Sequence, residues 1–362
     1  MENRNIQRHY GIDLLRIIAM IMIVTLHTLG KGGVLSIVPE STPHFHVAWI
    51  LKTTCFCAVN CYALISGFVL YNRPFSISRI IHLWLTIVFY TITITLIALV
   101  TNHYSLNMSV IYDALFPITR GVYWYLTAYF AMYLFSPLLN IAVDSTSKNF
   151  AKRFFSVTFI LMSTLPTIWG KDPFCLEGGF SPLWLCILYL AGAAIKKYNF
   201  SLNNSRKIIA TFFFISITIT YITKLVLAPL ISKIWNIDSD GGMFISYTSP
   251  TIIFAAIALL CICKDLQVGR NFQWFIQLFA PATLGVYIIH THPFIWNCYI
   301  SNFAKAFVGK TFFLFVLDVA LSIVLIWSLC SLIDIVRQQL FKKIKIRELS
   351  QKIAILLTKE QT

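Results

Sequence analysis

Apolar runs long enough to cross a bilayer recur along the whole chain, each ended by a cluster of charges or turn residues. They lie near residues 12–30, 48–70, 80–101, 122–143, 154–169, 181–195, 208–231, 245–263, 275–298 and 310–335. A helical crossing takes about 20 apolar residues, and in lipid an open chain satisfies its backbone only as helix. The pattern predicts an all-α integral membrane protein of about ten transmembrane helices, one membrane domain over residues 1–335. The remaining 336–362 are basic and amphipathic, which reads as a cytoplasmic tail lying on the anionic inner leaflet. Arg4 and Arg8 precede the first run as they would in a signal peptide, but no clear small-x-small site follows Leu29. An uncleaved first helix is expected.

Composition fits lipid as the solvent. Only 12% of the residues are charged and mean hydropathy is +0.75, whereas soluble domains carry roughly 25% charge to hydrate their surfaces. Twenty-nine Lys and Arg against 14 Asp and Glu leave a net charge of +15. In a soluble protein that excess would suggest nucleic acid; here topology accounts for it, and no nucleic-acid partner is expected. The N-terminal segment, the even-numbered loops and the tail hold twenty basic residues, the odd-numbered loops six. Basic residues collect on the cytoplasmic side of short loops, so both termini are expected there. Nine cysteines stand mostly within the runs, which argues against a disulfide framework. In the Cys55–Cys57 and Cys261–Cys263 pairs the sulfurs project about 200° apart on a helix, and no metal site is expected.

Polarity that survives inside lipid is where chemistry is sought. In the first run, Asp13, Arg16 and His27 interrupt an otherwise apolar stretch. Eleven steps of about 100° bring Arg16 and His27 onto one helix face, about 16 Å apart along the axis. Asp13, three residues before Arg16, is set to orient it. The alternative is a snorkelling arginine and an interfacial histidine; the shared face favours a common hydrophilic channel.

Asp-x-x-Arg, ten residues, then His is the first-helix pattern of the acyltransferase 3 family, and Asp13, Arg16 and His27 match it position for position. ALISGFVL at 63–70 resembles that family's Ser-Gly-Phe helix end, and YWYLTAYFAMYLFSPLLN at 123–140 its aromatic fourth span. WLCILYLAGAAIKKY at 184–198 and TLGVYIIHTHPFIW at 283–296 are similar to branches that O-acetylate bacterial surface polysaccharides. Many relatives carry Arg-x-x-Arg near the start of the third helix; this chain has Arg79 followed by His82, leaving Arg73 and Arg79 as partial substitutes in donor binding.

The resemblance implies an O-acetyltransferase of the bacterial inner membrane. Its donor would be cytoplasmic acetyl-CoA, with no permanently bound cofactor. Its acceptor would be a sugar hydroxyl of an O-antigen, capsule or exopolysaccharide, or of a lipid-linked precursor. Arg16 would hold phosphate through forked hydrogen bonds. His27 would act as general base, an acetyl-histidine intermediate being the lesser alternative.

Other positions carry two readings each. His290 is either a packing histidine or, as the resemblance favours, a cavity-lining group that stabilises the oxyanion or orients the acceptor. His292 cannot share its face unless Pro293 distorts the helix. Tyr123, Trp124 and Tyr125 form an aromatic belt or a platform for a sugar ring. Ser66 and Gly67 mark close helix packing, Asn60 is a candidate cavity residue, and Lys224 has no assigned chemistry. A transporter of lipid-linked sugars is the competing class; the inverted repeats and paired broken helices such folds show are not evident in the sequence.

Overall fold

The computed structural model describes residues 8–199, 206–235 and 244–359; Arg4 lies outside them. The described residues are helical with no strand. The helices are α1 (Tyr10–Leu29), α2 (Pro43–Cys55), α3 (Ala58–Leu70), α4 (Ile77–Val100), α5 (Met108–Leu115), α6 (Trp124–Asp144), α7 (Lys148–Phe159) and α8 (Leu165–Trp169). They continue as α9 (Pro182–Tyr198), α10 (Arg206–Ile222), α11 (Ala228–Trp235), α12 (Pro250–Lys264), α13 (Arg270–Phe279), α14 (Thr283–Thr291), α15 (Pro293–Ile295), α16 (Phe312–Lys343) and α17 (Ile346–Lys359).

Among the described residues, seven helical stretches are long and apolar enough to span a membrane: 10–29, 43–70, 77–100, 124–144, 206–227, 270–291 and 312–343. The three other expected crossings are shorter or interrupted. The run near 154–169 is α7 and α8 joined by a π-helical turn at Ile160–Thr164, just before Pro166, which has no N–H to continue the α ladder. The runs near 181–195 and 245–263 appear as α9, of 17 residues, and α12, of 15. Two further spans that the pattern reads as continuous are broken: α2 gives way to α3 at Phe56–Cys57, and α13 to α14 at residues 280–282. Helix α16 passes unbroken through residue 335 to Lys343, and the amphipathic α17 folds back against α4.

Helix α1 is the hub, packed against α2, α3, α12, α13, α14 and α16. Without a hydrophobic drive between helices in lipid, close approach depends on small residues. At the α3–α9 crossing a methyl on Gly67 would lie 1.9 Å from the Tyr189 carbonyl, and one on Gly192 2.0 Å from that of Leu64. Across the molecule, Asp334 of α16 is wholly buried and bridges three helices. It takes bonds from Arg337 at 2.9 Å and from the Tyr90 hydroxyl of α4 at 2.7 Å, and it fills the space where Gly285 of α14 lacks a side chain. A buried carboxylate persists only with such partners.

Candidate active site

A cavity of about 360 Å³ opens between α1, α3, α4, α6 and α14. From α1 it is lined by Arg16, Met20, Ile23 and His27, a stripe at helical spacing. Arg16 and His27 therefore face one enclosed space. The wall between them is mainly aliphatic and aromatic rather than hydrophilic, its polarity coming from tyrosines and the Ser66 and Thr283 hydroxyls.

At the Arg16 end, Asp13 accepts from Arg16 Nη1 at 2.7 Å and from Arg8 Nε at 2.7 Å. This ties the guanidinium through one nitrogen and leaves its other donors free. Tyr62 donates to the Arg16 carbonyl at 2.7 Å. Arg79, in the first turn of α4, lies on the cavity wall. Arg73, in the loop before α4, does not line the cavity but sits close behind it. Burial, with the Arg79 and Arg16 guanidiniums, makes Arg73 easier to deprotonate than usual. Burial, with Lys196 and Arg73 nearby, likewise lowers the affinity of His9 for a proton; Lys196 Nζ donates to His9 Nε2 at 3.4 Å. Mutual repulsion in this cluster is what an anionic ligand would relieve.

At the other end, His27 Nδ1 and His290 Nε2 are 2.8 Å apart, and His290 Nδ1 lies 2.5 Å from the Val286 carbonyl oxygen. His290 stands behind His27 rather than on the cavity wall, 1% exposed. His292 points elsewhere: α14 ends at Thr291, and the His292 ring accepts from the Phe294 N–H across Pro293 at 3.2 Å. The His27 ring also meets Trp296 edge-on, with centroids 4.7 Å apart.

The aromatic triplet is divided at the start of α6, because Tyr123 has the extended backbone of the residue before the helix while Trp124 and Tyr125 lie in its first turn. Trp124 and Tyr125 line the cavity, while Tyr123 is buried away from it against Tyr287. Asn60 is also off the wall: its amide donates to the Tyr247 carbonyl at 2.8 Å, and its oxygen accepts from Trp184 Nε1 at 3.2 Å. Its task is to hold Tyr247, whose ring stacks on Phe56 and Trp124 and lines the cavity. Lys224 lies over the Trp49 ring, its Nζ 4.5 Å from the centroid, away from the site.

Of the cavity tyrosines, the sequence pointed only to Tyr125. Tyr125, Tyr129 and Tyr133 recur every four residues on the cavity face of α6, joined on the wall by Tyr62 and Tyr287. The four-residue spacing was a legible signal; Tyr247 and Tyr287 carried none.

The assembly can hold an anion at one end and a base at the other, with an apolar passage between. No curated protein and no solved structure matches the chain. A family model described as an acyltransferase domain matches residues 9–330.

Proposed function

The chain belongs to the acyltransferase 3 family and is a membrane acyltransferase, and from that premise we propose that it transfers an acetyl group from cytoplasmic acetyl-CoA to a sugar hydroxyl. The acceptor is a bacterial surface polysaccharide or its lipid-linked precursor, and the protein sits in the inner membrane with both termini cytoplasmic. The observation that carries this reading is the single cavity shared by Arg16, Arg79 and His27. CoA has anionic phosphates at one end and a thioester at the end of a long, weakly polar arm. The Arg16, Arg79 and Arg73 guanidiniums suit the phosphates. The arm lies along the apolar wall, where tyrosine hydroxyls meet its amides, and the thioester reaches His27.

As the sugar oxygen attacks the thioester carbonyl, His27 takes the hydroxyl proton. The tetrahedral intermediate then expels the CoA thiolate, and the imidazolium returns the proton to sulfur. The products are the sugar ester and free CoA thiol. Positioned base catalysis of this kind contributes on the order of 10² to 10⁴ in rate.

In cells making the glycan, His27→Ala should remove its acetate, read by mass spectrometry, while export and chain length persist. Arg16→Ala should raise the KM for acetyl-CoA roughly 10- to 100-fold, the loss of a charge-assisted bond. Acetate retained in His27→Ala would overturn the assignment. Acetate retained with export lost would favour a transporter of lipid-linked sugars, the class that the interrupted spans would otherwise suit.

A further inference from the structure

The hydrogen bonds behind His27 fix where its proton is. The Val286 carbonyl has no hydrogen to give, so His290 Nδ1 must carry one and donate it. Val286 and His290 are four residues apart on α14, so the ring is latched to its own helix, and that helix is held in place by Asp334 against Gly285. A neutral imidazole has one N–H. With Nδ1 occupied, His290 Nε2 offers only a lone pair and can only accept. An imidazolium at His290 would be a buried charge whose hydrogen-bond partners among the described residues are a neutral ring and a carbonyl, with no carboxylate. The bond of 2.8 Å between the two rings therefore runs from His27 Nδ1–H to His290 Nε2. His27, neutral and protonated on Nδ1, is left with a bare lone pair on Nε2, and its ring lies on the cavity wall.

We infer that His290 is a positioning residue that sets the tautomer and orientation of His27, so that Nε2 is the nitrogen presented to the acceptor hydroxyl. This rests on the reading of His27 as the base. It gives His290 a different task from contact with substrate, because His290 lies behind His27 and not on the wall. During transfer the acceptor proton moves to His27 Nε2 as the oxygen–carbon bond forms. The Nδ1–H···Nε2 bond to His290 strengthens as positive charge develops on the His27 ring. The carbon–sulfur bond breaks, the thiolate takes the proton from Nε2, and both rings finish as they began. Free histidine prefers its proton on Nε2, the form that cannot serve as base at that atom. Without His290 the ring would relax to it. In hydrolytic triads the wrong tautomer costs on the order of 10⁴ in turnover.

The test uses full-length protein in lipid nanodiscs, labelled with ¹⁵N-histidine, with the His27 signals assigned by difference from His27→Gln. The expected wild-type spectrum has His27 protonated on Nδ1 and bare on Nε2. In His290→Ala the proton should move to Nε2. With acetyl-CoA titrated against membranes that carry the glycan, kcat should fall about 10²- to 10⁴-fold while the KM for acetyl-CoA stays within about twofold. His290→Gln keeps an oxygen able to accept from Nδ1–H and should restore the tautomer and return kcat to within about tenfold of wild type. Should His290→Ala fail to fold, the glutamine variant carries the test alone. Wild-type His27 protonated on Nε2 would overturn the inference, as would a glutamine variant with the right tautomer and no recovered turnover. An active His27→Ala defeats the catalytic reading instead, and leaves the tautomer spectrum as it was.

Discussion

Asn60 is wholly buried and makes two hydrogen bonds, and both partners matter to the cavity. Its oxygen holds the Trp184 indole and its amide holds the Tyr247 carbonyl. Replacing Asn60 with leucine, of similar volume, should cost about 1–3 kcal/mol for each group left unpaired. The measurement is thermal unfolding in detergent micelles, and an unchanged melting temperature would remove this role. The same scale explains what was legible. Arg16 and His27 belong to one helix, so arithmetic along the chain puts them on one face. Asn60 and Tyr123 are candidates by residue type and motif position rather than by a shared helix face, and the fold turns both away from the cavity.

Between elements, backbone approach matters more than hydrophobicity. Gly67 and Gly192 let α3 and α9 cross with carbonyls where side chains would stand, and α3 carries Tyr62 and Ser66 to the cavity. Gly67→Ala would set a methyl 1.9 Å from a backbone oxygen that no rotamer change can move. The expected outcome is a sharp loss of monodisperse protein on size-exclusion chromatography and a lower melting temperature. Gly269→Ala is the control: its Cβ meets nothing within 4 Å, so stability should stay within about 1 kcal/mol of wild type. If both variants behave alike, close packing at Gly67 is not what holds the crossing. The broken spans also belong to this scale. Hydropathy averages over a turn of helix and cannot register a two- or three-residue interruption such as 280–282, yet that break sets Ala280 and Thr283 on the cavity wall.

For the molecule as a whole, topology is the testable property. Cys175 and Cys298 are exposed, while Cys55, Cys57, Cys61, Cys261, Cys263 and Cys330 are buried. Under the proposed orientation, with both termini cytoplasmic, the exposed pair is expected on the outer side. A membrane-impermeant maleimide should label intact spheroplasts through these two cysteines, and Cys175→Ser with Cys298→Ser should abolish the signal. Labelling that appears only after permeabilisation would invert the orientation. The sequence by itself determined the solvent, the all-helical class and the face shared by Arg16 and His27. These follow from hydropathy, charge and spacing, which are properties of the chain read in one dimension. Only the tertiary structure decided that His290, 263 residues away from His27, backs that ring, and that Tyr247 joins the cavity wall. Those pairings arise from how helices pack, and packing in lipid is set by small residues and buried polar contacts, which leave little trace along the chain.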